Sequence, residues 1–214
     1  MELVQVDTQR AYERIREKII TLELAPGALI NEQHLAENLD IGTGPVRQAL
    51  QLLVHDNLVV VTPRHGLYVA EINIPDLEQL SEMRLSLEPL CARLAAQRAS
   101  PDDLTVLEAL RQEQAITPSD DSQRLLDLDY KFHRALVKAA KNKYLSRTLE
   151  HLFGLSQRLW YMALPQLDFL STAVAEHLDL MEAVRNGNGD LAEKIMHNHV
   201  QRFYDRVRKK LAKK

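Results

Sequence analysis

The sequence predicts a mostly α-helical chain in two parts: an N-terminal winged helix-turn-helix with a small β-hairpin wing, and a C-terminal all-α antiparallel helical bundle. Three observations carry that prediction. The 214 residues contain only 7 Gly and 8 Pro among abundant Leu, Ala, Glu and Arg, a helix-forming composition. Two short, mainly apolar runs flank Pro63-Arg64-His65-Gly66 and make the one convincing strand pair. From Pro75 onward, apolar residues recur at helical spacing alone. The change of pattern near Ile74 sets the domains at 1–74 and 75–214.

Tyr12, Ile15, Ile19 and Leu22, spaced three and four apart behind the candidate N-cap Thr8, predict a helix over 8–24 that Ala25-Pro26-Gly27 stops. A short helix follows from the cap Asn31 with Leu35 and Leu39 inward. A third starts near Gly44-Pro45 with Val46, Leu50 and Leu53 inward, Pro being suited to a first helical turn. Leu58 to Thr62 and Leu67 to Ala70 form the hairpin. Breaks at Ser100-Pro101, Pro118 to Asp121, Asn142, Pro165 and Asn186 to Gly189 then divide the remainder into helices near 75–98, 101–116, 122–140, 143–163, 166–185 and 189–211. Short loops make successive helices antiparallel neighbours.

Composition narrows function. The 27 Lys and Arg against 30 Asp and Glu leave a charge of −3, which by itself argues against a polyanion partner. A single cysteine, Cys91, has no internal partner, and the first residues lack the basic and apolar regions of a secretory signal. A reducing, cytoplasmic setting is expected. No apolar run approaches the ~18 residues of a membrane span, so no membrane association is expected.

The second helix of a helix-turn-helix lies in the major groove with its N-terminal residues on base edges and phosphates. Those residues here include Thr43, Gly44, Arg47 and Gln48. Arg47 can pair with a phosphate or a guanine edge, Gln48 can reach a base, and Arg64 and His65 stand at the wing tip. The backbone amides of Thr43 and Gly44 suit a phosphate at a helix N-terminus. Pro26-Gly27 with Leu29, Leu35-Ala36, Pro45-Val46-Arg47-Gln48-Ala49-Leu50 with Leu53, and Gly66 with Val69 make the chain resemble the GntR family of bacterial transcription regulators over residues 10 to 70. The resemblance implies that Arg47 contacts DNA, with Thr43, His65 and Gly66 at further contact positions. Where that family writes Ser/Thr-Arg-Thr before the Pro, this chain has Gly42-Thr43-Gly44, so one groove arginine is absent. Residues 1 to 70 carry 6 Lys or Arg against 9 Asp or Glu, an acidic balance that calls for two copies acting together on DNA.

In the second half, Asp129 and His133 are four apart and so share a helix face. His177 and His199 lie on two later helices, 22 residues apart. An antiparallel bundle can bring the three helices to one point and supply one oxygen and three nitrogens. Such a set suits a divalent transition metal, zinc first with nickel, manganese or cobalt as alternatives, rather than calcium. Glu82-x-Arg84-x-x-x-Glu88, Asp129-x-x-x-His133, Glu176-His177 and His197-x-His199 extend the resemblance to the FCD ligand-binding domain of the FadR subfamily, in its shorter, VanR-like branch. That resemblance implies a metal held by Asp129, His133, His177 and His199, and a small carboxylate effector bound there and at Arg84. Ion pairing of Arg84 with Glu82 or Glu88 is the other reading of that arginine.

No nucleophile elbow, phosphate loop or recognisable acid/base motif accompanies these residues, so no enzyme is expected. The expected function is a homodimeric, ligand-responsive regulator, a repressor, that reads double-stranded operator DNA. The contrasting expectation is a metal-dependent binder or enzyme whose DNA-reading head has degenerated.

Overall fold

The computed structural model describes residues 2–73, 75–163 and 170–211. The predicted break at Pro165, the predicted helix start at 166, and Ile74, Lys213 and Lys214 lie outside the described residues. By its internal contacts the chain forms two units, one of Met1–Asn73 with Gly154–Met162 and one of Ile74–Phe153 with Ala163–Lys214.

In the first unit, α1 (Glu2–Ile20), α2 (Glu32–Leu39) and α3 (Thr43–His55) precede the wing. The α1 stripe runs through Ala11, Ile15 and Ile19, all fully buried; four-residue spacing keeps them on one face. Two expectations for α1 are corrected. Thr8 is not a cap, because the helix already starts at Glu2 and the Thr8 hydroxyl instead donates to Gln48 Oε1 at 2.9 Å. Leu22 is not helical, because the chain turns through a left-handed φ of 63° there. Asn31 does cap α2, accepting from His34 N at 3.0 Å. Asp40 leaves that helix at a left-handed φ of 53°, and the carbonyls of Leu39 and Asp40 accept bonds from Arg14 and Arg10.

Helix α3 begins at Thr43 behind Gly42, slightly earlier than predicted, with Pro45 in its first turn. The wing is a three-stranded sheet in the order β1-β3-β2, with β1 Leu29–Ile30, β2 Val59–Thr62 and β3 Gly66–Val69. The additional strand β1 pairs antiparallel with β3, Leu29 opposite Tyr68 and Ile30 opposite Leu67. At two residues it is too short to leave a period-two pattern in the sequence. Between β2 and β3 the turn needs positive φ at Arg64 (67°) and Gly66 (107°).

The second unit holds α4 (Asp76–Arg98), α5 (Pro101–Ile116), α6 (Ser122–Ala139), α7 (Lys143–Ala163), α8 (Leu170–Arg185) and α9 (Gly189–Leu211). Residues 154–162 of α7 are counted with the first unit. Ser100 and Asp103 close a reciprocal capping box at the start of α5, and Asp121 caps α6. Helix α4 continues through Pro89 although that residue brings no N–H to the ladder. Successive helices α5 and α6, and α8 and α9, pack together, but α4 packs most extensively on α9, so the first helix of the bundle meets the last. Phe132, Leu107, Leu149, Ala92 and Met196 are fully buried in its core.

Candidate metal centre and nucleic-acid face

Helix α6 presents Asp129 and His133 one turn apart, α8 presents His177 and α9 presents His199; all four are buried. One ligand atom from each lies within 4.8 Å of the other three. His133 Nε2 is 3.2 Å from His199 Nε2, and Asp129 Oδ1 lies 3.3 Å from His177 Nε2, 3.8 Å from His133 Nε2 and 4.0 Å from His199 Nε2. Two ligand atoms bonded to one ion at ~2.0–2.1 Å stand at most about 4.2 Å apart, and the four separations given fall within that. The Phe132 ring stacks on His177 with centroids 4.2 Å apart, and Phe153 meets His133 edge-on at 5.9 Å.

The outer nitrogens explain which way the rings face. His133 Nδ1 lies 2.6 Å from Glu88 Oε2, His177 Nδ1 lies 3.2 Å from Gln114 Oε1, and His199 Nδ1 lies 2.9 Å from Glu176 Oε2. Glu176 in turn accepts from Arg202 Nε at 3.0 Å. Hydrogen bonds to Gln114 and Glu176 place the proton of His177 and His199 on Nδ1, and the Glu88 carboxylate beside His133 Nδ1 favours the proton there as an ion-pair contact, so each Nε2 offers its lone pair inward. Three imidazole lone pairs and a carboxylate oxygen then converge with no donor among them. Asp129 Oδ1 and His177 Nε2 are buried without a hydrogen-bond partner, although buried polar atoms are ordinarily satisfied. A divalent cation fits this donor set.

Burial and charge act on these groups in opposite directions. Burial opposes ionisation of Asp129, but His133, His177 and His199 outweigh it and hold the carboxyl well below its usual range. Burial likewise opposes the charge on Glu88, yet Arg84 and His133 bring it down to about 2. His133 loses basicity through burial and regains more than that from Glu88 and Asp129. His177 is lowered to about 4, by burial first and by His199 and His133 against the pull of Asp129. His177 thus stays neutral and ready to ligate, whereas His133, favoured in its charged form by the two carboxylates, gives up a proton when it ligates.

All four ligand positions read from the sequence therefore come together. Arg84 Nε donates to Glu88 Oε1 at 2.5 Å and its Cζ lies 5.3 Å from the centre of the Phe153 ring. Glu88 thus joins Arg84 to His133. Gln114 escaped the sequence reading altogether, since nothing at the C-terminal end of α5 signals a partner 63 residues away.

On the first unit, Thr43, Gly44, Arg47 and Gln48 form one exposed face of α3, opposite the buried Val46, Ala49, Leu50 and Leu53. Arg64, His65 and Gly66 are exposed at the β2–β3 turn. Arg47 and Gln48 both have partners within the unit: Arg47 Nε donates to Glu32 Oε2 at 2.9 Å, and Gln48 accepts from Thr8.

Comparison with known proteins assigns both parts. Residues 7–69 match the gntR family of bacterial regulatory proteins, and residues 79–202 match the FCD domain. The chain belongs to the GntR family of transcription regulators and carries an FCD domain. Across 94% of this GntR–FCD chain and 88% of the relative, it is 27% identical to the HTH-type transcriptional repressor RspR of Escherichia coli K12. It is 28% identical to the HTH-type transcriptional regulator McbR of the same strain, over 76% of this chain and 71% of that one. A solved structure of E. coli McbR/YncC superposes with a TM-score of 0.79 at 21% identity, covering 95% of this chain and 97% of that one. A GntR regulator from Rhodococcus sp. RHA1 gives 0.75 at 20% identity, covering 94% and 96%. The family and these relatives are DNA-binding transcriptional regulators, not enzymes. Among the described residues, no helix is long and apolar enough to cross a membrane.

Proposed function

We propose that this GntR–FCD protein is a ligand-responsive repressor that binds operator DNA as a homodimer and senses a small organic acid through a divalent metal. The observation that carries the reading is the converging, donor-free set Asp129, His133, His177 and His199 in a chain that also bears a winged helix-turn-helix. A metal held by those four residues supplies a Lewis-acid centre for an anionic ligand. Arg84, tied to His133 through Glu88, is the cation offered to the ligand's carboxylate, whose planar geometry its fork suits. Repression follows the name of RspR, the relative similar over nearly the whole chain.

Two copies are supported by α4. Met83 and Leu90, seven residues apart, are 47% and 40% exposed beside Leu80, Leu87 and Leu94, which pack against the bundle's own core. Thr43, Gly44, Arg47 and Gln48 from each copy would face the major groove, with Arg64, His65 and Gly66 on the flanking backbone or minor groove and half-sites ~34 Å apart. An effector that prefers one arrangement of the dimer, with a typical coupling of ~1–3 kcal/mol, changes DNA affinity ~5–150-fold.

The test is a salt titration of binding to random duplexes and to duplexes enriched by selection on the wild-type protein. A regulator gives a steep salt slope and a selected-to-random ratio far above one. A ratio near one at every salt concentration would support the degenerate-head alternative instead.

A further inference from the structure

We infer that Glu32 is a positioning residue for sequence readout, holding Arg47 with the end of its guanidinium free to meet a guanine. The inference rests on the reading of α3 as the recognition helix, and begins from the geometry of one ion pair. Glu32 is the first residue of α2, directly after the cap Asn31, so its backbone is fixed by a capped helix start. Its side chain is 28% exposed, whereas that of Arg47 is 66% exposed. The better-buried acid is the anchor and the arginine is the group being placed.

The bond runs from Arg47 Nε alone, at 2.9 Å to Glu32 Oε2. A guanidinium has five N–H donors, and bidentate contact with guanine O6 and N7 uses two of them. It can come from the Nε side or from the two terminal nitrogens. With Glu32 on Nε, the side-on mode is taken and the end-on mode remains. Among the described residues, Arg47 has no second partner, so Nη1 and Nη2 are available on the exposed face that also carries Thr43, Gly44 and Gln48.

Two opposing consequences follow for DNA. Ordering a long side chain before binding removes a cost that otherwise weakens the specific complex, on the order of 2- to 13-fold for one side chain. The carboxylate also adds a negative charge beside the phosphates, which lowers affinity for every sequence alike. Glu32 therefore exchanges general affinity for discrimination. The acidic balance of residues 1 to 70 acquires a function at this position, since one of the nine acids is placed directly on the candidate reading arginine.

The experiment compares wild type, Glu32→Gln, Arg47→Ala and the double variant on random duplexes and on duplexes selected by the wild type, with a thermal melt of each protein to confirm folding. Glu32→Gln is expected to bind random duplexes more tightly while its selected-to-random ratio falls ~2- to 13-fold. The loss should centre on one guanine position, and the double variant should match Arg47→Ala in its selected-to-random ratio, because the acid discriminates only through the arginine. If Glu32→Gln strengthens both duplex classes equally, or if the two substitutions add independently in the selected-to-random ratio, the positioning role is overturned. If Arg47→Ala itself keeps full discrimination, the recognition-helix reading fails instead, an outcome distinct from the other two.

Discussion

Asp129 Oδ1 and His177 Nε2 lie 3.3 Å apart in a buried site, yet both are left without a hydrogen bond. With the His177 proton on Nδ1 both atoms are acceptors, so a cation near both would satisfy them together. Leaving two such atoms unsatisfied costs stability that an ion can return.

The direct consequence concerns metal content. Replacing His133 and His177 together with Ala should take elemental analysis of the purified protein from about one divalent ion per chain to none. In the wild type, added metal at ~100 times its dissociation constant should raise stability by about 2.7 kcal/mol, and in the variant by nothing measurable. Full metal content in the double variant would remove Asp129, His133, His177 and His199 as the site.

Glu88 tests the layer behind the ligands. Its two oxygens serve different partners, Oε1 taking Arg84 and Oε2 lying beside His133 Nδ1. Glu88→Gln keeps the volume but removes the charge that fixes the His133 ring and neutralises Arg84. Metal affinity should fall ~10–100-fold, measured by competition with a chelator. Stability should fall as well, because an amide oxygen replaces the carboxylate beside the buried Arg84 guanidinium. Unchanged metal affinity in a destabilised variant would make Glu88 a partner of Arg84 alone.

The ligand set was legible in the sequence because its geometry is local or repeated. Asp129 and His133 share a helix face by their four-residue spacing, and the resemblance to FCD domains supplied His177 and His199. Gln114 and Glu32 were not legible, since each acts on a residue of another helix and no periodicity encodes such a pairing. Arg84 was legible as an effector contact or as the partner of Glu82 or Glu88, and of those two acids it is Glu88 that lies on its Nε. The start of α1 was misread because Thr8 has the side chain of a cap, and tertiary contact with Gln48 claims its hydroxyl instead. Strand β1 owes its existence to pairing with β3 and has too few residues to announce itself.

Gly66 separates backbone need from side-chain space. A Cβ there would meet only Leu29 Cδ1, at an ordinary 3.5 Å, whereas the φ of +107° is unfavourable for any L side chain. Gly66→Ala should therefore cost about 1–3 kcal/mol through conformation alone, read from urea unfolding. A cost near zero would mean that the wing turn relaxes to another conformation.

The capping box at α5 supplies a pH signature. Hydrogen bonds from Lys141 first and from Ser100 next, against a smaller opposing effect of burial, hold the Asp103 carboxyl at about 2. In an unfolded chain the same group titrates near ~3.9. Because the folded value is the lower one, the stabilisation is complete above the unfolded value and is lost as pH falls through the folded one. Asp103→Asn removes the charge at every pH. It should therefore destabilise the protein by roughly 1–2 kcal/mol at pH 7, and the gap from wild type should narrow between about pH 4 and pH 2. Urea unfolding of both proteins across that range measures the gap directly. A difference that stays constant down to about pH 2 would show that Asp103→Asn acts through geometry, by offering the Ser100 backbone a poorer partner, and that the ion pair with Lys141 contributes nothing to folding.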